Sequence, residues 1–216
     1  MYCWLRIFLV AGLLSGRFWA AAQAPLLIKN AFVIDVDRGA VKQADILIRN
    51  GKIAAVGRSL QGAAQQIDAK GKYILPGLFS NHVHIGTLKG NSIQPENYTR
   101  ENIIRQLEQY KRYGILHVLS MGTDQPLLFQ NGWYDSLRNG YLPGAQMLSA
   151  GYGFSVTGGA PGSGFPMQHL FRPENVSAVP AALDSLQQLN TRFVKIWVDN
   201  AGPSAPKMSP KYIRRL

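Results

Sequence analysis

The chain has 216 residues, 46% of them hydrophobic, which fits one ordinary domain or a small one beside part of a larger one and is globular rather than disordered. A single cysteine, Cys3, excludes a disulfide framework or a cysteine-ligated metal site within one chain. The formal net charge of +11 raises nucleic acid as a partner, but Lys and Arg are scattered and no RNP, helix-turn-helix or zinc-finger spacing accompanies them, so no nucleic-acid binding is expected.

Residues 1–22 read as a signal peptide. Arg6 and the amino terminus supply positive charge, Ile7 to Leu14 an apolar stretch, and Ala20-Ala21-Ala22 a small-x-small cleavage signal. Ala22-Gln23-Ala24 fits the same rule but would put Pro25 directly after the cut, so cleavage after Ala22 is expected. Arg17 breaks the apolar run, which is too short to span a membrane. An uncleaved anchor or a misassigned start is the competing reading. The expected location is periplasmic or secreted, by a bacterial-type signal, with no stable membrane insertion once it is removed.

Residues 25–72 read as a small β unit. Leu26 to Asp35 is rich in Leu, Ile, Val and Phe, and Asp37-Arg38-Gly39 is a turn. Ala44 to Arg49 and Lys52 to Val56 are joined by Asn50-Gly51, the strongest short hairpin signal, because a type I′ turn needs two positive φ angles. A unit of about 50 residues buries little surface alone and needs a partner. Ile67 to Lys72 is expected to cross from this unit to the segment beginning at Tyr73.

The apolar run Tyr73 to Leu75 leads into Pro76-Gly77-Leu78-Phe79-Ser80-Asn81-His82-Val83-His84. In an extended strand, side chains at i and i+2 point the same way, so His82 and His84 would present two imidazoles to one side, about 6–7 Å apart. Two nitrogens at that spacing can grip a divalent metal. Taken alone, the pair reads more readily as two ordinary polar residues than as a metal site.

Beyond it the period changes. Ile103, Ile104, Leu107 and Tyr110 form a helical stripe with Thr99 as N-cap and Gly114 as stop. Ile115 to Ser120 is a strand, Leu127 to Arg138 a short helix, Ala145 to Ala150 a third strand, and Gly158 to Pro166 a Gly/Pro-rich loop. Val179, Leu183, Leu186 and Leu189 mark a helix capped near Ser177 and ended by Asn190. Arg192 to Val198 reads as a fourth strand, and Ser209-Pro210 starts another helix. This alternation predicts parallel βα units, whose functional residues collect at the C-terminal ends of strands. His117 and His169 read as ordinary polar residues.

Lys195, flanked by Phe193, Val194, Ile196 and Trp197, is unusual, because a buried ammonium is costly unless paired. It lies at an exposed strand end, pairs with a carboxylate, or is chemically altered.

From Leu26 to Lys195 the chain resembles the amidohydrolase superfamily of metal-dependent hydrolases, nearest its prolidase-like dipeptidase and imidazolonepropionase-related branch. The strands around Asn50-Gly51-Lys52-Ile53 resemble the family's composite β-sandwich, Tyr73 to Leu78 followed by His82-Val83-His84 its first barrel strand, and Phe193 to Trp197 its fourth. The resemblance implies an α/β fold: the first half of a (β/α)₈ TIM-type barrel preceded by part of a small β-sandwich, with residues 25–72 in the sandwich and 73–216 in barrel strands 1 to 4.

It further implies two divalent metal ions, with zinc expected. His82 and His84 would hold one, and Lys195, as N6-carboxylysine, would bridge to the second. A metal-activated water would hydrolyse a C–N bond in a small-molecule amide, cyclic amide or dipeptide, and a homo-oligomer is open. The same resemblance exposes two departures. Ser80 stands where the family has an aspartate supporting the site. Two further histidines and the general-base aspartate are expected beyond Leu216, so no catalytic residue is assigned and a fragment is expected. The alternatives are a non-catalytic remnant, or a lactonase or phosphoesterase of the same superfamily.

Overall fold

Asn50 and Gly51 both adopt positive φ, 52° and 70°, as a two-residue hairpin loop requires. They join β2 (Ala40–Arg49) to β3 (Lys52–Gly57), and β1 (Leu26–Asp35) pairs antiparallel with the other edge of β2. The computed structural model describes residues 24–162, 169–199 and 202–216. The signal peptide read at residues 1–22 and the loop residues Ser163 to Pro166 lie outside the described residues. The chain divides into two units, one ending at Pro76 and one beginning at Gly77.

The first unit gains two strands that the sequence pattern does not announce. β4 (Gln65–Asp68) runs parallel to Leu26–Lys29, and β5 (Tyr73–Ile74) parallel to Phe32–Val33. The sheet order is β3-β2-β1-β4, with β5 beside β1. Gln65 and Gln66 give no apolar alternation, so their strand is dictated by the open edge of β1. The same edge takes Tyr73 and Ile74, whose apolar run belongs to this sheet and not to the strand that carries the histidines. Tyr73 stacks on Phe32 with ring centroids 5.3 Å apart.

β1 is interrupted at Asn30, where φ is +57° and the register shifts. The Asn30 N–H donates to Asp45 Oδ1 at 3.0 Å, and the Leu60 N–H to Asp45 Oδ2 at 3.1 Å. The buried Asp45 carboxylate thus satisfies the Asn30 amide freed by the bulge and the Leu60 amide after β3.

In the second unit, β6 (Leu78–Val83) follows Pro76, which cannot donate to a ladder, and Gly77, where any Cβ would meet the Leu116 side chain. A two-stranded turn, β7 (Leu88–Lys89) and β8 (Ser92–Ile93), leads to α1 (Arg100–Arg112). The helix starts where expected: Thr99 is the N-cap and accepts from the Asn102 N–H, while Gly114 turns the chain at φ +78°. β9 (Ile115–Ser120) and β10 (Gln146–Ser149) then lie parallel to β6, in the order β10-β9-β6. Between them the expected helix over 127–138 is split into a 3₁₀ turn, Pro126–Phe129, and α2 (Trp133–Arg138), because Asn131 and Gly132 both have positive φ.

One face of these strands packs on α1 and α2. Val83, Ile103, Leu107, Val118, Leu137 and Met147 form its core. Leu107 is fully buried, so Leu107→Ala should cost about 2–5 kcal/mol in chemical denaturation; a cost below about 1 kcal/mol would mean the helix is not clamped as described.

α3 (Val179–Gln187) carries a 3₁₀ turn, Val176–Ala178, at its start, and Asn175 rather than Ser177 accepts from the Ala178 N–H. A short α4 (Pro210–Ile213) follows Ser209. Residues 192–198 are extended but do not form the fourth strand that the apolar run predicts. Gly151, at φ +63°, turns the chain after β10, so no continuous partner runs beside them. Pairing shrinks to one parallel bridge between Phe154 and Ile196, with Phe154 N–H to Lys195 O at 2.7 Å and Trp197 N–H to Phe154 O at 2.9 Å. Among the described residues, no helix is long and apolar enough to cross a membrane.

Candidate functional site

Val83 points into the core against α1, so its neighbours His82 and His84 face the opposite side of the strand end. Their rings lie edge to face with centroids 5.4 Å apart, and both are open to solvent. The chain after His84 is pinned to α1: the Gly86 N–H donates to Gln106 Oε1 at 2.9 Å, and the Asn102 amide donates to the Gly86 and Leu88 carbonyls at 2.7 and 3.0 Å. His84 Nδ1 is hydrogen-bonded to the Thr123 hydroxyl at 3.0 Å, which leaves Nε2 as its available nitrogen. Partial desolvation, with the positive charges of His82 and Lys195 adding to it, holds the His84 imidazole below its ordinary pKa and favours the neutral ring that ligates metals.

Lys195 is half-buried, not sealed in the core, because the segment around it is a single bridge and not a covered strand. Its Nζ lies 4.8 Å over the Trp197 ring. Among the described residues no carboxylate pairs with it. Of the three readings open for Lys195, the carboxylate partner is not found among the described residues, and the face of an indole lies against the amine instead.

The pattern reading does not single out Thr123, which contacts His84, or Asp124 next to it. They follow β9, at the strand-end position where βα units place their chemistry. Asp124 is 2% exposed and accepts three hydroxyls: Tyr98 at 3.2 Å and Ser120 at 2.8 Å on Oδ1, and Ser149 at 2.5 Å on Oδ2. Burial pushes its carboxyl up to about 6, against the opposing pull of the Ser149, Ser120 and Tyr98 hydroxyls. The strand-end position was the available signal; the burial was not readable.

The other singled-out residues lie elsewhere. His117 stacks on Phe79, with centroids 6.0 Å apart, and His169 lies beside Tyr152 at 5.7 Å. Tyr152 also packs edge-on against Phe129 and Phe171. Ser80 pairs with Val118 across the β6–β9 ladder. Arg172 donates to the carbonyls of Val156, Gly159 and Pro161, holding the described part of the glycine-rich loop.

Part of the chain is similar in sequence to known proteins, and most of it is similar in fold. An adenine deaminase of Ligilactobacillus salivarius is 36% identical over 83 residues, 38% of this chain and 14% of that protein. A dihydroorotase of Trichlorobacter lovleyi is 42% identical over 62 residues, 28% of this chain and 15% of that protein. A solved Xaa-Pro dipeptidase with methionine bound in its active site shares the fold, with a TM-score of 0.71 at 20% identity over 89% of this chain and 53% of that one. Over the stretches these proteins match, the chain is similar to members of the amidohydrolase superfamily. It corresponds to the N-terminal part of these relatives, spanning about one seventh of the two curated proteins' length and about half of the solved dipeptidase. No family model matches the chain.

A divalent ion fits what this stretch offers. Two imidazoles lie together at one strand end, one already oriented through its far nitrogen, and a half-buried amine faces the same strand-end region. Among the described residues no three His, Cys, Asp or Glu side chains converge as a complete cage.

Proposed function

We propose that this amidohydrolase-superfamily chain contributes the first metal-binding half of an enzyme that hydrolyses C–N bonds in a small amide, cyclic amide or dipeptide. Within that reading, the first sheet, which takes in Tyr73–Ile74, forms the sandwich segment, and the chain from Gly77 onward the first half of a (β/α)₈ barrel. The observation that carries it is the pair of imidazoles at the end of β6, 5.4 Å apart, with Nδ1 of His84 engaged by Thr123. His82 and His84 would hold one divalent ion, zinc by the N-rich donor set, and Lys195, carboxylated, would hold it jointly with a second.

Carboxylation joins the Lys195 amine nitrogen to the carbon of CO₂ and releases a proton, giving an anionic oxygen donor. When bound, the ions supply Lewis acidity toward water and the scissile carbonyl. The chain's own residues fix the imidazole orientation, keep His84 neutral and set the Lys195 stem against Gly122. No residue of this chain is assigned the general base. Export directed by residues 1–22 belongs to the same proposal.

The test is metal analysis of the chain prepared with zinc and ¹³C-bicarbonate. The expected result is stoichiometric zinc, lost in His82→Asn/His84→Asn, and a carbamate carbon resonance lost in Lys195→Ala. Any amide or dipeptide hydrolysis should stop on chelation and return with zinc. A chain that binds no zinc, or hydrolysis indifferent to chelation, would overturn the reading.

A further inference from the structure

Of three consecutive residues after β9, two touch two of the proposed ligands without being ligands themselves, and the third anchors them. At Gly122, a Cβ would lie 2.8 Å from Cβ and Cγ of Lys195, so the lysine stem rests directly on that backbone. The Thr123 hydroxyl bonds Nδ1 of His84 at 3.0 Å. Asp124 is buried and tied by hydroxyls to three separate parts of the fold: Tyr98 before α1, Ser120 at the end of β9 and Ser149 at the end of β10. Ser149 is itself held, since its hydroxyl accepts from the Gly151 N–H at 2.7 Å and its N–H donates to Tyr134 Oη at 3.1 Å.

The backbone on either side of Thr123 is fixed as well. Gly153 N–H donates to Gly122 O at 2.9 Å, and Thr123 bridges Tyr152. Thr123 therefore cannot follow His84 if the ring turns; the ring must come to the hydroxyl.

We propose that Thr123 is the positioning residue of His84: its hydroxyl accepts from Nδ1–H, locks the ring in that tautomer, and leaves the lone pair of Nε2 aimed away from the strand for a divalent ion. Asp124 keeps Thr123 in place from beneath, through its three hydroxyl partners. A free neutral imidazole prefers the proton on Nε2, so without this contact His84 would spend most of its time with the wrong nitrogen protonated and the ring free to flip. The assignment deepens the metal-binding reading and rests on it for its purpose, but its geometry holds without any ion.

The experiment is long-range ¹H–¹⁵N correlation of the histidine rings in the full chain, at a pH where His84 is neutral, with His84→Asn used to assign the signals. The expected result is Nδ1–H in the native protein, Nε2–H or an exchanging mixture in Thr123→Val, and recovery of Nδ1–H in Thr123→Ser. Zinc affinity, read by competition with a chromogenic chelator, should fall about 10- to 100-fold in Thr123→Val and return in Thr123→Ser. Native His84 carrying its proton on Nε2, or a Thr123→Val ring unchanged from native, would overturn the proposal. If the native chain binds no zinc yet shows the Thr123-dependent tautomer, the positioning stands and the metal reading falls.

Discussion

Gly122→Ala is expected to lower stability by about 2–5 kcal/mol, combining the strain of a left-handed residue with overpacking. Gly122 sits at φ +76°, and an added Cβ would meet the Gly153 Cα at 2.9 Å as well as the Lys195 stem at 2.8 Å. The lysine could partly swing aside. The Gly153 backbone could not, because its N–H is bonded to the Gly122 carbonyl and its other face is covered by the Trp197 ring.

Gly132→Ala provides the comparison. Gly132 has a similar φ of +68° but open space where the methyl would go. It should suffer the conformational strain alone, about 1–2 kcal/mol. Denaturant unfolding of the two variants separates the effects. Equal losses would show that the close approach of residues 122, 153 and 195 is not what makes Gly122 necessary.

The second large effect is a pH dependence centred on Asp124. Its carboxyl titrates near 3.9 when unfolded and at about 6 when folded, because burial disfavours the charge more than three hydroxyls favour it. The folded state therefore binds the proton more tightly, and between pH 4 and 6 it carries more proton than the unfolded state. The stability contributed by this group is full below pH 4, declines as pH rises to 6, and stays low above it. The total is on the order of 3 kcal/mol, two units at about 1.4 kcal/mol each.

Other carboxylates titrate in the same window, so the measurement is a difference. Unfolding free energies of the native protein and Asp124→Asn should be compared at pH 4, 5, 6 and 7. The variant should gain on the native protein as pH rises, by up to about 3 kcal/mol, and level off above pH 6. The opposite slope would mean that the hydroxyls of Tyr98, Ser120 and Ser149 stabilise the carboxylate more than burial destabilises it. The native protein keeps a carboxylate there at a stability cost. That is consistent with a site feature whose geometry matters, since a buried charge is retained against its own desolvation only when its hydrogen bonds are fully arranged.

What the sequence by itself determined is what depends on near neighbours. The hairpin at Asn50-Gly51 follows from two positive φ angles, and α1 from the cap at Thr99, the stripe at Ile103 and Leu107 and the stop at Gly114. β9 and β10 follow from short apolar runs between turns, and the common side of His82 and His84 from a two-residue period. Each is set within a few positions of chain, where local propensity and sterics act. Tertiary structure decided the rest, because the deciding contacts join residues far apart in sequence. Polar Gln65-Gln66 became a strand only because β1 had a free edge, and Tyr73-Ile74 joined that edge instead of leading into the histidines. The apolar run Phe193 to Val198 is reduced to one bridge, Phe154 with Ile196, among the described residues. Asp124 is a buried anchor, since Tyr98 and Ser149 reach it across gaps of 26 and 25 residues. Thr123 meets His84 across 39. The histidines could be read from the chain; what aims one of them could only be read from the fold.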